Sequence, residues 1–358
     1  MKKKIEEIRS QLDSIDKRLV YLLRQRTELS LKIGKIKHKH GIDAFDPGRE
    51  KAITDNLKKM AKPPLSPDMI EDIYNSIFSI SRRLQKKKKA AYLGPIGSYT
   101  HQAADKIFKY DANLMALPTI EDVFQEVISS RADLGVVPVE NSTEGMVTQT
   151  LDLMASSSLY ISKEIMLSIQ HTLLSKYPLG KIRKVFSHTQ AIAQCRHWLK
   201  VNLPDVKIVE TPSTSDAALS ACRYQSSAAI ASAHAAIIYG LDIIAANIND
   251  HPDNITRFWV VSKYMASPSS RDKTSFIIAI DNVPGALYKA IGSFARQSID
   301  LTKIESRPSK KGTWEYIFFI DIRGNLKDKP VIEAVSKLKG CTRDIIILGS
   351  YPEGALIS

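Results

Sequence analysis

A chain of 358 residues is too long for one ordinary core, and 44% hydrophobic with 25% charged residues is the composition of a globular protein of two or three domains. No apolar run is long enough to cross a bilayer, MKKKIEEIRS has no apolar stretch behind its lysines, and Cys195, Cys222 and Cys341 are odd in number and far apart, which argues against a membrane span, an export signal, a disulfide framework and a zinc site. A cytoplasmic protein without metal or cofactor is expected. The net charge of +13 is concentrated, because residues 1–89 carry 23 Lys plus Arg against 12 Asp plus Glu, leaving +2 for the rest. That basic segment suits polyanions or a small dianion.

Residues 1–89 read as all helix. Ile5, Ile8, Leu12, Ile15, Leu19, Leu22 and Leu29 recur at three and four, predicting a first helix from about residue 3 to 39, on the order of 50 Å long. Two shorter partners in the same chain cannot cover such a stripe, so an intertwined dimer is expected. DPGRE, with Asp46 as N-cap and Pro47 at N1, starts a second helix, and SPD at 66–68 starts a third. QKKKKA reads as a solvated linker.

On the first helix Arg26 and Lys37 are eleven residues apart, close to three full turns, so both project from one face and can converge on a small anion. Arg9 lies about 25 Å from Arg26 along the axis and about 100° around it. To serve the same pocket it must come from a second chain. Arg9, Arg26, Lys37, the DxxRE of Asp46, Arg49 and Glu50, and Ser81 with Gln85 together resemble the all-helical chorismate mutases. The resemblance implies a homodimer, with tetramers the alternative, in which Arg9 and Arg26 hold the carboxylates of chorismate. It gives Lys37 and Gln85 the ether oxygen, and Asp46, Arg49, Glu50 and Ser81 the ring hydroxyl and the pocket. The rearrangement to prephenate needs no acid, base or nucleophile, only a compact conformer and stabilised charge on the breaking bond.

Residues 90–268 alternate apolar bursts (AAYLG, LGVVPVE, KVFSH, KIVET, AAIAS, RFWVVS) with helical stretches, which predicts a two-lobed α/β domain with a mostly parallel sheet and ligands at the strand ends. The polar loops after these strands hold Ser98, Tyr99 and Thr100, then Asn141, Ser142 and Thr143, then Ser187, His188 and Gln190. NITRF at 254–258 puts Thr256 and Arg257 at the mouth of a buried strand with no acid or His in the next few positions. Together these stretches resemble the prephenate dehydratases. The resemblance implies that Thr256 supplies the hydrogen bond or proton to the leaving hydroxyl of prephenate, with Phe258 and the loop residues around the substrate. A substrate carboxylate is then the expected partner of Arg257, and a distant Asp or Glu is the alternative.

Residues 272–352 read βαββαβ, the ferredoxin-like split unit. DNVPGAL (Asn282, Pro284, Gly285, Ala286, Leu287) and ESRP (Glu305, Ser306, Arg307, Pro308) resemble the ACT regulatory domain attached to dehydratases. There the two motifs meet across a dimer to bind phenylalanine. Tyr288 stands where that family more often has a small β-branched residue.

The fold class is thus multidomain α and α/β: residues 1–89 helical, 90–268 two-lobed, 272–352 regulatory. The expected activity is bifunctional, with chorismate and prephenate as substrates and phenylalanine as effector, and with neither nucleic acid nor membrane as partner. One alternative keeps only the mutase, with the α/β and ACT segments as a regulatory or ligand-binding module. Another, a solute receptor with a nucleic-acid-binding arm, lacks an export signal and has only Tyr21, Phe45, Tyr74 and Phe78 for stacking in the basic segment.

Overall fold

The computed structural model describes residues 2–39, 47–85, 88–108, 112–251, 253–308 and 316–357, and the chain divides into two compact units, Met1–Lys88 and Lys89–Ser358. The first unit contains helices α1 (Lys2–Lys39), α2 (Pro47–Lys58) and α3 (Pro67–Gln85). Proline opens α2 and α3, where a missing N–H costs nothing, and Ser66 Oγ caps α3 by accepting from Met69 N at 3.2 Å. Lys58 reaches Glu71 to tie α2 to α3. Phe78 is buried, yet the stripe of α1 is not covered: Ile8, Leu12 and Ile15 are each more than half exposed.

The second unit begins with β1 (Lys88–Leu93), α4 (Tyr99–Phe108), β2 (Ala112–Leu117), α5 (Ile120–Ile128), β3 (Leu134–Asn141), β4 (Gly145–Met146), α6 (Thr148–Ser156) and β5 (Tyr160–Ser168). The chain then crosses to a second lobe of β6 (Thr172–Ser175), β7 (Lys184–Ser187), α7 (Thr189–Gln194), α8 (Arg196–Asn202), β8 (Lys207–Glu210), α9 (Thr214–Arg223), β9 (Ser227–Ala231), α10 (Ala233–Tyr239) and β10 (Asp242–Ala245). It returns through β11 (Ile255–Ser262) and continues as β12 (Asp272–Ile280), α11 (Ala286–Ala295), β13 (Leu301–Pro308), β14 (Tyr316–Arg323), α12 (Lys329–Lys339), β15 (Asp344–Pro352) and β16 (Leu356–Ile357). The last two lysines of the expected linker therefore already belong to a strand.

Neither lobe is mostly parallel, contrary to the expectation from alternating strands and helices. The first sheet runs β16-β5-β11-β3-β1-β2 with β4 on β3, and the second runs β10-β6-β9-β7-β8. The mixing follows from the two crossings. β11 re-enters the first lobe antiparallel to both β3 and β5, and β6 enters the second lobe antiparallel to β9. The C-terminal sheet, β13-β14-β12-β15, is fully antiparallel with helices α11 and α12, the expected split βαββαβ order.

Side-chain alternation along β11 sets what lies on each side of the first sheet. Phe258 and Val260 pack with Tyr92, Ala103, Val136 and Leu167 on the α4 side. Trp259 and Val261 pack on the other side with Val123, Leu151, Ile277, Phe319 and Tyr351, so the C-terminal sheet shares that core. Gly349 (φ +141°) makes the junction close: a Cβ there would lie 2.6 Å from Ile161 O of β5.

Candidate functional site

In the helical unit α3 brings Ser81 to α1, and Arg26 Nη1 donates to Ser81 Oγ at 3.0 Å while its guanidinium carbon lies 5.3 Å from the Phe78 ring centre. The half-buried arginine is thus aimed by an aromatic face and a hydroxyl, leaving further N–H groups for a carboxylate. Lys37 is half-buried on the same helix, Arg49 and Glu50 lie in the first turn of α2, and Arg9 sits on the exposed N-terminal half of α1. Asp46 lies outside the described residues, as does the side chain of Gln85.

In the α/β unit the expected residues Thr256 and Asn141 are cross-strand partners in the β11–β3 register. Asn141 Nδ2 donates to Thr256 Oγ1 at 2.8 Å and to Asn254 Oδ1 at 2.8 Å. The amide cannot turn over, because its Oδ1 accepts from Thr143 N at 3.0 Å, Glu144 N at 3.2 Å and Thr143 Oγ1 at 2.5 Å. The order propagates. Asn254 Nδ2 donates to Gln194 Oε1 at 2.9 Å, and Gln194 Nε2 donates to Thr143 Oγ1 at 3.3 Å. His171 Nε2, 2.8 Å from the same Gln194 oxygen, must therefore carry its proton, which makes Nδ1 an acceptor; the Tyr99 hydroxyl shares its one proton between Nδ1 at 2.8 Å and Gln170 O at 3.0 Å. Burial lowers the pKa of His171 and keeps it neutral against the pull of Gln194; burial also pushes the Tyr99 phenol well up. At the end of this network the Thr256 hydroxyl accepts from Asn141, and its own proton has no acceptor among the described residues.

The loop after β1 meets the second lobe. Ile96 O accepts from Tyr239 OH at 2.8 Å and from Ser215 Oγ, and His101 Nδ1 lies 3.3 Å from His234 Nε2. Ser98 Oγ caps α4 by accepting from His101 N at 3.2 Å, and Tyr99 and the buried Thr100 form its first turn. In the second lobe His188 caps α7 by accepting from Gln190 N. Ser187 is buried and donates to Ile230 O at 2.7 Å, so its hydroxyl serves the sheet. Ser142 likewise brackets the mouth of β11, donating to Asp253 O and accepting from Ile255 N, both at 3.0 Å. Phe258 is buried in the core between the first sheet and α4.

Arg257 corrects the sequence reading. It alternates to the face opposite Thr256, and its guanidinium is held by Glu164 (Nε to Oε2, 2.5 Å), Asp321 (2.7 Å) and the Tyr351 hydroxyl (3.2 Å). Lys273 Nζ and Gly354 N also reach Glu164, each at 3.1 Å. Burial alone would lower the pKa of Arg257, but Asp321, Tyr351 and Glu164 outweigh it and raise it. The distant acids, not a substrate carboxylate, are its partners.

Sequence reasoning missed His171, Gln194, Asn254, His101 and His234. Gln194 lies four residues after Gln190, one helical turn on the same face, and Asn254 directly precedes the Thr-Arg pair; both signals were readable. His171, set by the crossing between lobes, gave none.

In the C-terminal sheet a cavity of about 300 Å³ is lined by Ile280, Asn282, Gly285, Leu287, Tyr288 and Phe318, among others. Gly285, at φ +82°, opens α11 beside it. The ESRP residues are on β13, with β14 between them and β12, and Arg307 instead donates to Thr148 Oγ1 at 2.8 Å. Within one chain the two motifs do not meet.

The sequence matches the family Chorismate mutase type II over residues 8–86 and the family Prephenate dehydratase over residues 90–266. It is 42% identical to a bifunctional chorismate mutase/prephenate dehydratase of Aquifex aeolicus, over 98% of this chain and 99% of that protein. It is 39% identical to the protein of the same description from Neisseria gonorrhoeae, over 97% of both. Among solved structures, a prephenate dehydratase of Arthrobacter aurescens in complex with L-Phe matches with TM-score 0.68 and 32% identity, covering 74% of this chain and 90% of that one.

Proposed function

The chain belongs to the family of bifunctional chorismate mutase/prephenate dehydratases, and on that premise we propose how its residues divide the two reactions. It rearranges chorismate to prephenate and converts prephenate to phenylpyruvate. In the helical unit Arg26, oriented by Ser81 and Phe78, holds a chorismate carboxylate, and Lys37 with Gln85 stabilises charge growing on the ether oxygen. Asp46, Arg49 and Glu50 complete the pocket. The uncovered stripe of α1 supports a homodimer in which Arg9 serves the partner's site.

The dehydratase site is built on Thr256. Loss of carbon dioxide from one end of the ring and hydroxide from the other needs a hydrogen-bond donor at the leaving hydroxyl. The single observation that carries the assignment is the Asn141–Thr256 bond of 2.8 Å. Asn141 occupies a lone pair of Oγ1 and leaves the Thr256 proton directed elsewhere. A threonine is a weak acid, so it works as a positioned donor while aromatisation supplies the drive. With Arg257 turned away, the pyruvyl carboxylate falls to the N-terminus of α4, where the backbone N–H groups of Tyr99 and Thr100 open the helix.

The cavity lined by Asn282, Gly285 and Leu287 is the phenylalanine site of an ACT domain in this reading, completed by Glu305–Pro308 of a second chain, and the reactions take place in the cytoplasm. The test is direct. Purified protein given chorismate produces phenylpyruvate with prephenate as intermediate, and phenylalanine slows the second step; prephenate as the final product would leave the mutase alone.

A further inference from the structure

The β11–β3 register contains two neighbouring cross-strand pairs, Thr256 with Asn141 and Arg257 with Glu140. The first pair carries the proposed chemistry. The second lies on the opposite side of the sheet, and both of its members are gripped by the C-terminal sheet. Arg257 Nη2 is 2.7 Å from Asp321 Oδ2 of β14, and Glu140 Oε1 accepts from Lys303 Nζ of β13. Arg257 Nη1 and Glu140 Oε2 lie 4.0 Å apart, which closes a chain of alternating charge, Lys303–Glu140–Arg257–Asp321. Ser275 Oγ donates to Asp321 Oδ1 at 2.5 Å and fixes that carboxylate from β12.

A slip of β11 against β3 moves both pairs together, since they are consecutive rungs of one ladder. The far ends of the gripping strands lead to the C-terminal cavity. Phe318, which lines it, is three residues from Asp321 on β14, about 10 Å, and Glu305 follows Lys303 by two residues on β13.

We propose that Lys303 and Asp321 are positioning residues for the dehydratase: acting through Glu140 and Arg257, they hold the register that sets the Asn141–Thr256 bond. The proposal rests on the reading of Thr256 as the donor, and goes beyond it by naming what holds the donor in place and from which domain.

The test compares Lys303→Met, Lys303→Arg, Asp321→Asn and Thr256→Val in the full chain, each assayed on prephenate and on chorismate consumption. A misplacement of under an ångström at the donor lowers turnover about tenfold or more. Lys303→Met and Asp321→Asn are therefore expected to lose kcat with KM within about twofold, while Lys303→Arg retains kcat and chorismate consumption is unchanged. Lys303 is at the rim, with 22% of its side chain exposed, so Lys303→Met carries the test if Asp321→Asn does not fold. Wild-type kcat in a folded Lys303→Met, alongside loss in Thr256→Val, overturns this proposal alone. Wild-type kcat in Thr256→Val overturns the reading beneath it and the proposal with it.

Discussion

Asn141 Nδ2 donates to Thr256 Oγ1 at 2.8 Å from the directly opposing position of the neighbouring strand. The backbone N–H groups of Thr143 and Glu144 hold the other end of that amide, so the donor cannot be exchanged for an acceptor by rotation. Asn141→Asp places a carboxylate oxygen where the donor was, and Thr256 then turns its proton onto it. Turnover of prephenate is expected to fall about a hundredfold, which steady-state kinetics at saturating substrate measures. Unchanged turnover would show that the orientation of the Thr256 proton is irrelevant.

Arg257 distinguishes a structural cation from a substrate clamp. Arg257→Met leaves Glu164 and Asp321 buried with one cation fewer between them, and removal of one partner from a buried ion pair costs about 3–5 kcal/mol. Denaturant unfolding should show that loss of stability, while KM for prephenate stays near its original value. A large rise in KM without loss of stability would return Arg257 to the substrate.

His101, His171 and His234 have lowered pKa values, chiefly through burial, and His101 is lowered further by His234. All three are neutral in the folded chain at pH 7. As pH falls through the ordinary value of 6.5, the unfolded chain takes up protons that the folded chain refuses, so stability is full above that point and declines below it. Thermal unfolding should show a Tm that falls between pH 7 and pH 5, with a shallower fall in His101→Gln/His234→Gln. Parallel curves for the two proteins would mean that the pair across the lobes titrates normally.

In the mutase, Lys37→Ala is expected to lose rate on the order of a thousandfold on chorismate and to leave dehydration of supplied prephenate intact. Because Arg9 is too far from Arg26 along α1, mixing inactive Arg9→Ala and Arg26→Ala chains should restore part of the activity. Absence of recovery, with chain exchange shown independently, would place Arg9 outside the site.

Much of this was legible before the structure, and the limits have physical causes. Proline and Ser66 announced the starts of α2 and α3 because capping is local chemistry. The split βαββαβ order was readable because period-two and helical patterns alternate cleanly there. Arg257 was misread because its partners, Glu164 and Asp321, lie 93 and 64 positions away, the first brought to it by strand pairing and the second by the packing of the C-terminal sheet, which no local pattern records. The mixed sheets were missed for a related reason: strand direction after each crossing depends on which lobe the chain re-enters. His171 entered the site through a network with Gln194, Asn254 and Asn141 that only the fold assembles.

Thr256→Val most directly tests the central claim, that a threonine hydroxyl held by Asn141 serves the leaving group. Valine keeps the β-branch and the volume and removes the only donor at that position. Turnover of prephenate should fall about a hundredfold or more with KM little changed, since the interaction matters chiefly in the transition state. The same preparation should consume chorismate at the original rate and accumulate prephenate. Near-normal turnover of prephenate by Thr256→Val would contradict the account and place the donor elsewhere in the site.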